Sequence, residues 1–434
     1  MSRPLALLGC RLLDPESGLD RVGGLLVRDG RIADLGPHLR AGELGPEVEE
    51  IDATGLCLAP GLVDMRVQLG EPGAEHKERI DSAVAAAAAG GITSLAALPD
   101  TSPPLDDPAM LEFVARRARK LKSVKVHPCA CLTRGAEGRQ LAEMGLLREA
   151  GAVAFTDGCR AVADARVMLR ALSYATAFDA LVIQHPEEPA LAAGGAMHEG
   201  PVATRLGLPG IPACAEVIMI ERDLRLVEAT GARYHVAHLS TAAAVEVVRR
   251  AKARGLPVSA EVSPHHLLLT EAEVEGYRTY AKVSPPLRTE EDREALIEAL
   301  AEGTIDVVAS DHAPQDQESK RVPFAQAAFG VVGLETLLAA CLQLWHDGRI
   351  DLLRLLAALT VRPASLLGIE GGRLAVGAPA DLVLFDAGLR WTVTEAGLRS
   401  LSKNTAFEGR EFRGRVVRTL VDGRTVFSLG DGAT

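Results

Sequence analysis

The sequence predicts an α/β protein, a (β/α)8 TIM-like barrel carrying a small β domain formed by both termini. Three observations predict it. Short apolar runs alternate with helix-period stretches through the middle of the chain. Those runs are continuously apolar, as expected of parallel strands covered on both faces. Both ends of the chain are instead rich in short β segments punctuated by turn glycines.

Residues 1–57 form the N-terminal part of the small β domain, where "LLVRDGRIADLG" places a DG turn between alternating segments. Residues 58–370 form the barrel. Its strand candidates, in order, are "GLVDMRVQL", "GITSLAALPD", "SVKVHPCACL", "GAVAFTDG", "ALVIQH", "ARYHVAHLS", "PVSAEVSPHH" and "TIDVVASDHAP". Helical spacing follows in "KERIDSAVAAAAAGG", "PAMLEFVARRARKL" and "TEEDREALIEALAEG". Eight such strands, each followed by a helix, suffice for a closed barrel. Residues 371–434 form the C-terminal part of the small domain, with "GRLAVGAPADLVLFDAG" and "GRVVRTLVDGRTVFSLG". Packing the two ends together is the economical arrangement.

The 434 residues carry 58 acidic and 47 basic side chains, a net charge of -11. That balance argues against nucleic acid or an anionic membrane as partner. Aromatic residues are only 3% of the chain, too few for base-stacking platforms. The N-terminal apolar run is short and soon charged, unlike a secretory signal, and no apolar stretch is long enough to span a bilayer. Seven scattered cysteines contain no CxxC pattern, which points to reduced thiols in the cytoplasm. Cys129 and Cys131 read as buried strand residues.

In such a barrel the chemistry sits at the C-terminal ends of strands. Asp157 closes the fourth strand candidate, His185 the fifth, His238 the sixth and Asp311 the eighth. Imidazole and carboxylate side chains are the usual ligands of zinc. Each of these residues alone has a plain structural reading, and for Asp157 that reading is a turn-capping carboxylate. His265, His266 and His198 read as structural, with His198 fixing a loop.

The segments "APGLVDMRVQLGEPGAEHKERIDSAVAAAAAGGITS", "GGAMHEGP", "YHVAHLSTAAAV", "EVSPHHLLLT", "KVSPPLRTEEDREALIEAL", "VVASDHAP" and "FGVVGLET" together resemble the dihydroorotases of the amidohydrolase superfamily. The likeness runs through nearly the whole chain in the family's order. It implies ring hydrolysis of a cyclic amide in pyrimidine biosynthesis, using one or two zinc ions. It also implies a proton-shuttling role for Asp311 and metal ligation by Asp157, His185 and His238. The family's paired histidines on the first strand correspond to Arg66 and Gln68.

Those two positions are departures. A guanidinium does not deprotonate, and an amide oxygen is a weak neutral donor. The site built by the two histidines is therefore expected to be lost. The chain retains either no zinc or a single zinc at a remnant site of Asp157, His185 and His238. The substrate positions differ too. Gly70 stands where the family has an arginine, Asp100 and Ser284 where it has asparagines, and Gln315 where it has a histidine. Asp100 would repel a carboxylate.

Loss of both metal and substrate positions resembles the inactive dihydroorotase-like chains that assemble with aspartate transcarbamoylase. The expected role is that of a structural and regulatory partner of its catalytic chain, within an oligomer. Asp311 would then be idle, and the Arg66 guanidinium would fill the vacant cation position, paired with Asp157, Asp311 or both. The alternative is a mono-zinc cyclic amidohydrolase with another substrate, or residual dihydroorotase activity. A hydantoinase or allantoinase reading is disfavoured, because "AFTDGC" offers no lysine at the fourth strand.

Overall fold

The computed structural model describes residues 3–430. Eight parallel strand positions close on themselves. The first three are Leu62–Val67, Ile92–Ala97 and Lys125–Pro128. Val182–Gln184, Tyr234–Val236, Val258–Val262 and Val307–Val308 supply the fifth to eighth. The fourth position is narrower than the sequence suggests. Only Phe155 pairs there, bridging Ala130 on one side and Val182 on the other. Closure comes from a bridge between Val67 and His312, with Gln68 N–H donating to the His312 carbonyl at 2.9 Å.

The helices around the barrel stop where their sequence instructs. Pro108–Leu121 starts at Asp107, whose carboxylate accepts from Ala109 N–H at 2.8 Å. Glu290–Glu302 starts with a capping box, in which the Thr289 hydroxyl and the Asp292 carboxylate each accept the other residue's N–H at 3.2 Å. It ends at Gly303, whose φ of 101° suits only glycine comfortably.

Inside the barrel, Val63, Met65, Cys129, Ile183 and Val307 form a packed plug. Ala364 and Leu367 of the helix Val361–Leu367 seal its N-terminal end. A floor of this kind leaves only the C-terminal end for a site.

Both chain termini contribute to one sheet. Its strands run in the order Arg424–Ser428, Glu411–Val421, Leu382–Thr392, Cys57–Pro60, Leu5–Asp14, Leu19–Arg28 and Arg31–Gly36, with Glu49–Asp52 beside Leu5–Asp14. Cys57–Pro60 pairs with Leu382–Thr392, so the chain leaves this sheet at Gly61, just beyond residue 57. Leu7, Leu12, Leu25, Leu58, Leu382 and Leu420 share its core. Burying each is worth about 1.5–3 kcal/mol. Lys125 ties the sheet to the barrel, reaching Asp381 and Asp422 at 2.7 Å each. Cys129 and Cys131 are both fully buried. Among the described residues no helix is long and apolar enough to cross a membrane.

Candidate functional site at the C-terminal end of the barrel

Arg66 projects from the first strand into the barrel mouth and is 1% exposed. Its Nε donates to Asp311 Oδ1 at 2.8 Å. One terminal nitrogen reaches the Gly158 carbonyl at 3.3 Å and Cys159 Sγ at 3.8 Å. The other, Nη1, is buried without a partner among the described residues. Burial opposes the guanidinium charge, but Asp311 first, then Cys159, Glu261 and Asp100, outweigh it and hold Arg66 more firmly protonated than usual. A permanent cation thus sits in the mouth, with its Nε bound to Asp311.

Gln68 lies one turn of the pleat further out. Its amide Nε2 donates to Cys159 Sγ at 2.9 Å. The two replaced ligand positions therefore converge on Cys159, two residues past Asp157. Sequence reasoning passed over Cys159, and its only signal was that place in the "FTDGC" loop.

Asp157, expected in the remnant three-ligand set, is bonded here to the neighbouring strand. Asp157 Oδ1 accepts from Leu132 N–H at 2.9 Å and Thr133 N–H at 2.8 Å, and Oδ2 accepts from the Thr133 hydroxyl. Both oxygens serve the end of the neighbouring strand, and none of these bonds runs to Arg66. Burial raises the pKa of this carboxyl, while the bonds from Thr133 and Leu132 pull it back down. The turn-capping role follows from two adjacent backbone N–H groups and the Thr133 hydroxyl, which together satisfy the carboxylate. Thr133 was the second residue missed, since a threonine 24 positions away carries no local signal.

His185 and His238 do meet. His185 Nδ1 and His238 Nε2 lie 2.9 Å apart, one imidazole donating and the other accepting. Burial, then the charges of Arg66 and His185, keep His238 neutral. Among the described residues, His238 Nδ1 is buried without a partner. Two imidazoles make half of a tetrahedral zinc shell. The other candidates are committed elsewhere, Asp311 to Arg66 and Asp157 to Thr133. Among the described residues no group of three or more His, Cys, Asp or Glu side chains is arranged to hold a metal ion. As oriented here, these donors are bonded to one another or to other protein groups.

Backbone strain persists at this end. His238 and Asp311 have φ of 33° and 51°, left-handed values costly for these residues. His265 Nε2 stands 3.8 Å from Asp311 Oδ2. His266 is used structurally, with Ser263 Oγ at 2.7 Å and the Pro285 carbonyl at 3.0 Å. His198 Nδ1 accepts from Arg288 at 3.0 Å and so ties down its loop.

The replaced substrate positions have also acquired structural duties. At Gly70 φ is +69°, and a Cβ there would lie 2.5 Å from the Glu78 carbonyl oxygen. No arginine fits that backbone without displacement. Asp100 accepts weakly from Cys159 N–H at 3.4 Å, and its Oδ1 lies 1.8 Å from where a Cβ on Gly158 would sit. Gln315 bridges loops, accepting from Lys77 at 2.8 Å and donating to the Phe329 carbonyl at 2.9 Å. Ser284 precedes Pro285, whose carbonyl faces His266.

Comparison with known proteins agrees with this architecture. A family model described as dihydro-orotase-like matches residues 55–244. The dihydroorotase of Syntrophotalea carbinolica is 45% identical over 421 residues, covering 97% of this chain and 98% of that protein. The dihydroorotase of Anaeromyxobacter dehalogenans strain 2CP-1 is 46% identical over 428 residues, covering 98% of each. Among solved structures, the L-hydantoinase of Arthrobacter aurescens superposes with a TM-score of 0.87 at 28% identity, covering 98% of this chain and 96% of that one. The D-hydantoinase of a Thermus species gives 0.80 at 26% identity, with 98% and 95% coverage. These neighbours share the TIM barrel and its β domain. With near-complete coverage at 45% identity, the chain belongs to the dihydroorotase family of the amidohydrolase superfamily.

Proposed function

We propose that this chain is a non-catalytic dihydroorotase-like protein of pyrimidine biosynthesis that serves as a structural and regulatory partner of the aspartate transcarbamoylase catalytic chain. One observation carries the reading, the ion pair of Arg66 with Asp311 at 2.8 Å. It puts a covalent cation where the family's first-strand ligand stands, and it occupies the carboxylate that would move the proton. The Asp311 oxygen that would receive the proton already accepts from the Arg66 Nε–H. The duties of Asp157 and Gln315 support the same reading.

The partner follows from the resemblance to inactive chains of this family. Its test is analytical ultracentrifugation of the chain with its cognate aspartate transcarbamoylase. The expected result is a stable complex and a raised transcarbamoylase rate. Two proteins that sediment independently, with an unchanged rate, would refute the partnership.

A second reading has its own support. The facing nitrogens of His185 and His238, 2.9 Å apart, would suit two ligands of one cation after a small outward shift. Full-length relatives at 44–46% identity carry the name dihydroorotase. A mono-zinc amidohydrolase would require Asp157 to leave Thr133, or another ligand to arrive. One zinc per chain after dialysis, together with turnover, would favour it.

A further inference from the structure

A partly open cavity lies in the seam between the barrel and the β domain. It encloses about 400 Å³. Leu338 and Ala339 of the helix Leu337–His346 form its barrel wall. The domain wall is aromatic and cationic. The Arg415 guanidinium lies over the Trp391 ring at 5.0 Å, and that of Arg399 over the Phe427 ring at 5.1 Å. Neither guanidinium has a carboxylate within ion-pair distance among the described residues. A neighbour on the same strands behaves differently, since Arg390 pairs with Glu411 at 2.8 Å.

Two arginines on one cavity without a carboxylate partner among the described residues are notable in a chain of net charge -11. Stacking on aromatic rings fixes each guanidinium plane and leaves its N–H edge unspent. One carboxylate, Glu335, shares the wall. It is already engaged, accepting from Arg399 N–H at 2.7 Å and Ser400 N–H at 3.1 Å. Burial pushes its carboxyl up to about 7, so near neutral pH it carries only part of a negative charge. The cavity volume lies within the range of small-molecule sites.

We propose that this seam cavity binds a small phosphorylated anion through Arg399 and Arg415. The N–H forks of the two arginines match phosphate oxygens in geometry and charge. The apolar floor of Leu338 and Ala339 receives the uncharged part of the ligand. Because the walls come from both domains, an occupied site would also brace one against the other. The inference is independent of whether the barrel mouth is catalytic.

The test is isothermal titration calorimetry of the full chain with inorganic pyrophosphate, at low chloride. The expected result is saturable binding of one anion per chain in the sub-millimolar range. Arg415→Gln and Arg399→Gln should each weaken it about tenfold, as loss of a charged hydrogen bond would. Trp391→Leu, which removes the stacking face and keeps both charges, should weaken it less. Absence of saturable heat, or binding indifferent to both arginines, would overturn the proposal. Unchanged melting temperatures for the arginine variants would exclude misfolding as the cause of any loss.

Discussion

Replacing Arg66 by methionine removes the guanidinium and keeps most of the side chain's volume. At 2.8 Å, with an effective dielectric near 20, the Arg66–Asp311 attraction is about 6 kcal/mol before desolvation is subtracted. Arg66 is 2% and Asp311 12% exposed at the side chain, so both lose most of their hydration on folding. Breaking such a pair from one side costs about 3–5 kcal/mol, because the other charge is left buried and alone. Arg66→Met and Asp311→Asn should each fall in that range, Asp311→Asn toward the lower end because the amide still accepts a hydrogen bond. The double variant should cost less than the sum by about 2–4 kcal/mol. Urea unfolding of all four proteins measures this, from midpoints at matched m-values. Arg66→Met costing under about 1 kcal/mol, or strict additivity in the double variant, would refute the claim that the guanidinium substitutes for a metal as counter-ion.

Other consequences are equally direct. Arg66→His with Gln68→His restores two imidazoles beside His185 and His238. Elemental analysis after dialysis should then find about one zinc per chain, without turnover, because Gly70, Asp100 and Gln315 remain. Thr133→Val deprives Asp157 of its hydroxyl donor and Gly138 N–H of its 2.8 Å acceptor, and should cost about 1–3 kcal/mol in thermal unfolding. Lys320 is buried among the carbonyls of Thr279, Lys282 and Ala328, and burial together with Lys282 lowers its pKa to about 7. Between pH 7 and about 10 the unfolded chain then holds a proton that the folded chain lacks, so the Lys320 contribution to stability rises with pH across that window. That rise should be missing from Lys320→Met when unfolding midpoints are compared at the two pH values.

The barrel was legible because buried parallel strands must be apolar throughout, and the β domain because both ends carry turn glycines. The replacement of ligands was legible because Arg66 and Gln68 fall at strand-end positions that a residue type alone can disqualify. Rotamer choice was not legible. Asp157 sits at the expected strand end, yet its carboxylate turns to Leu132 and Thr133, donors supplied by a neighbouring strand. Only the three-dimensional pairing of Ala130 with Phe155 brings those N–H groups within reach. Arg66 therefore serves Asp311, although the sequence permits either acid. The loss at position 70 is likewise deeper than a missing charge, since the Gly70 backbone has no room for a side chain.

If Arg66 silences Asp311 as proposed, the barrel mouth does no chemistry. The most direct test is a ring-opening and ring-closing assay of the purified chain on dihydroorotate and carbamoyl aspartate, with zinc supplied, alone and with aspartate transcarbamoylase present. No turnover above background is expected in either case, and no change on Asp311→Asn. Turnover that disappears in Asp311→Asn would contradict the proposal, and would mean that Arg66 releases this carboxylate during a catalytic cycle.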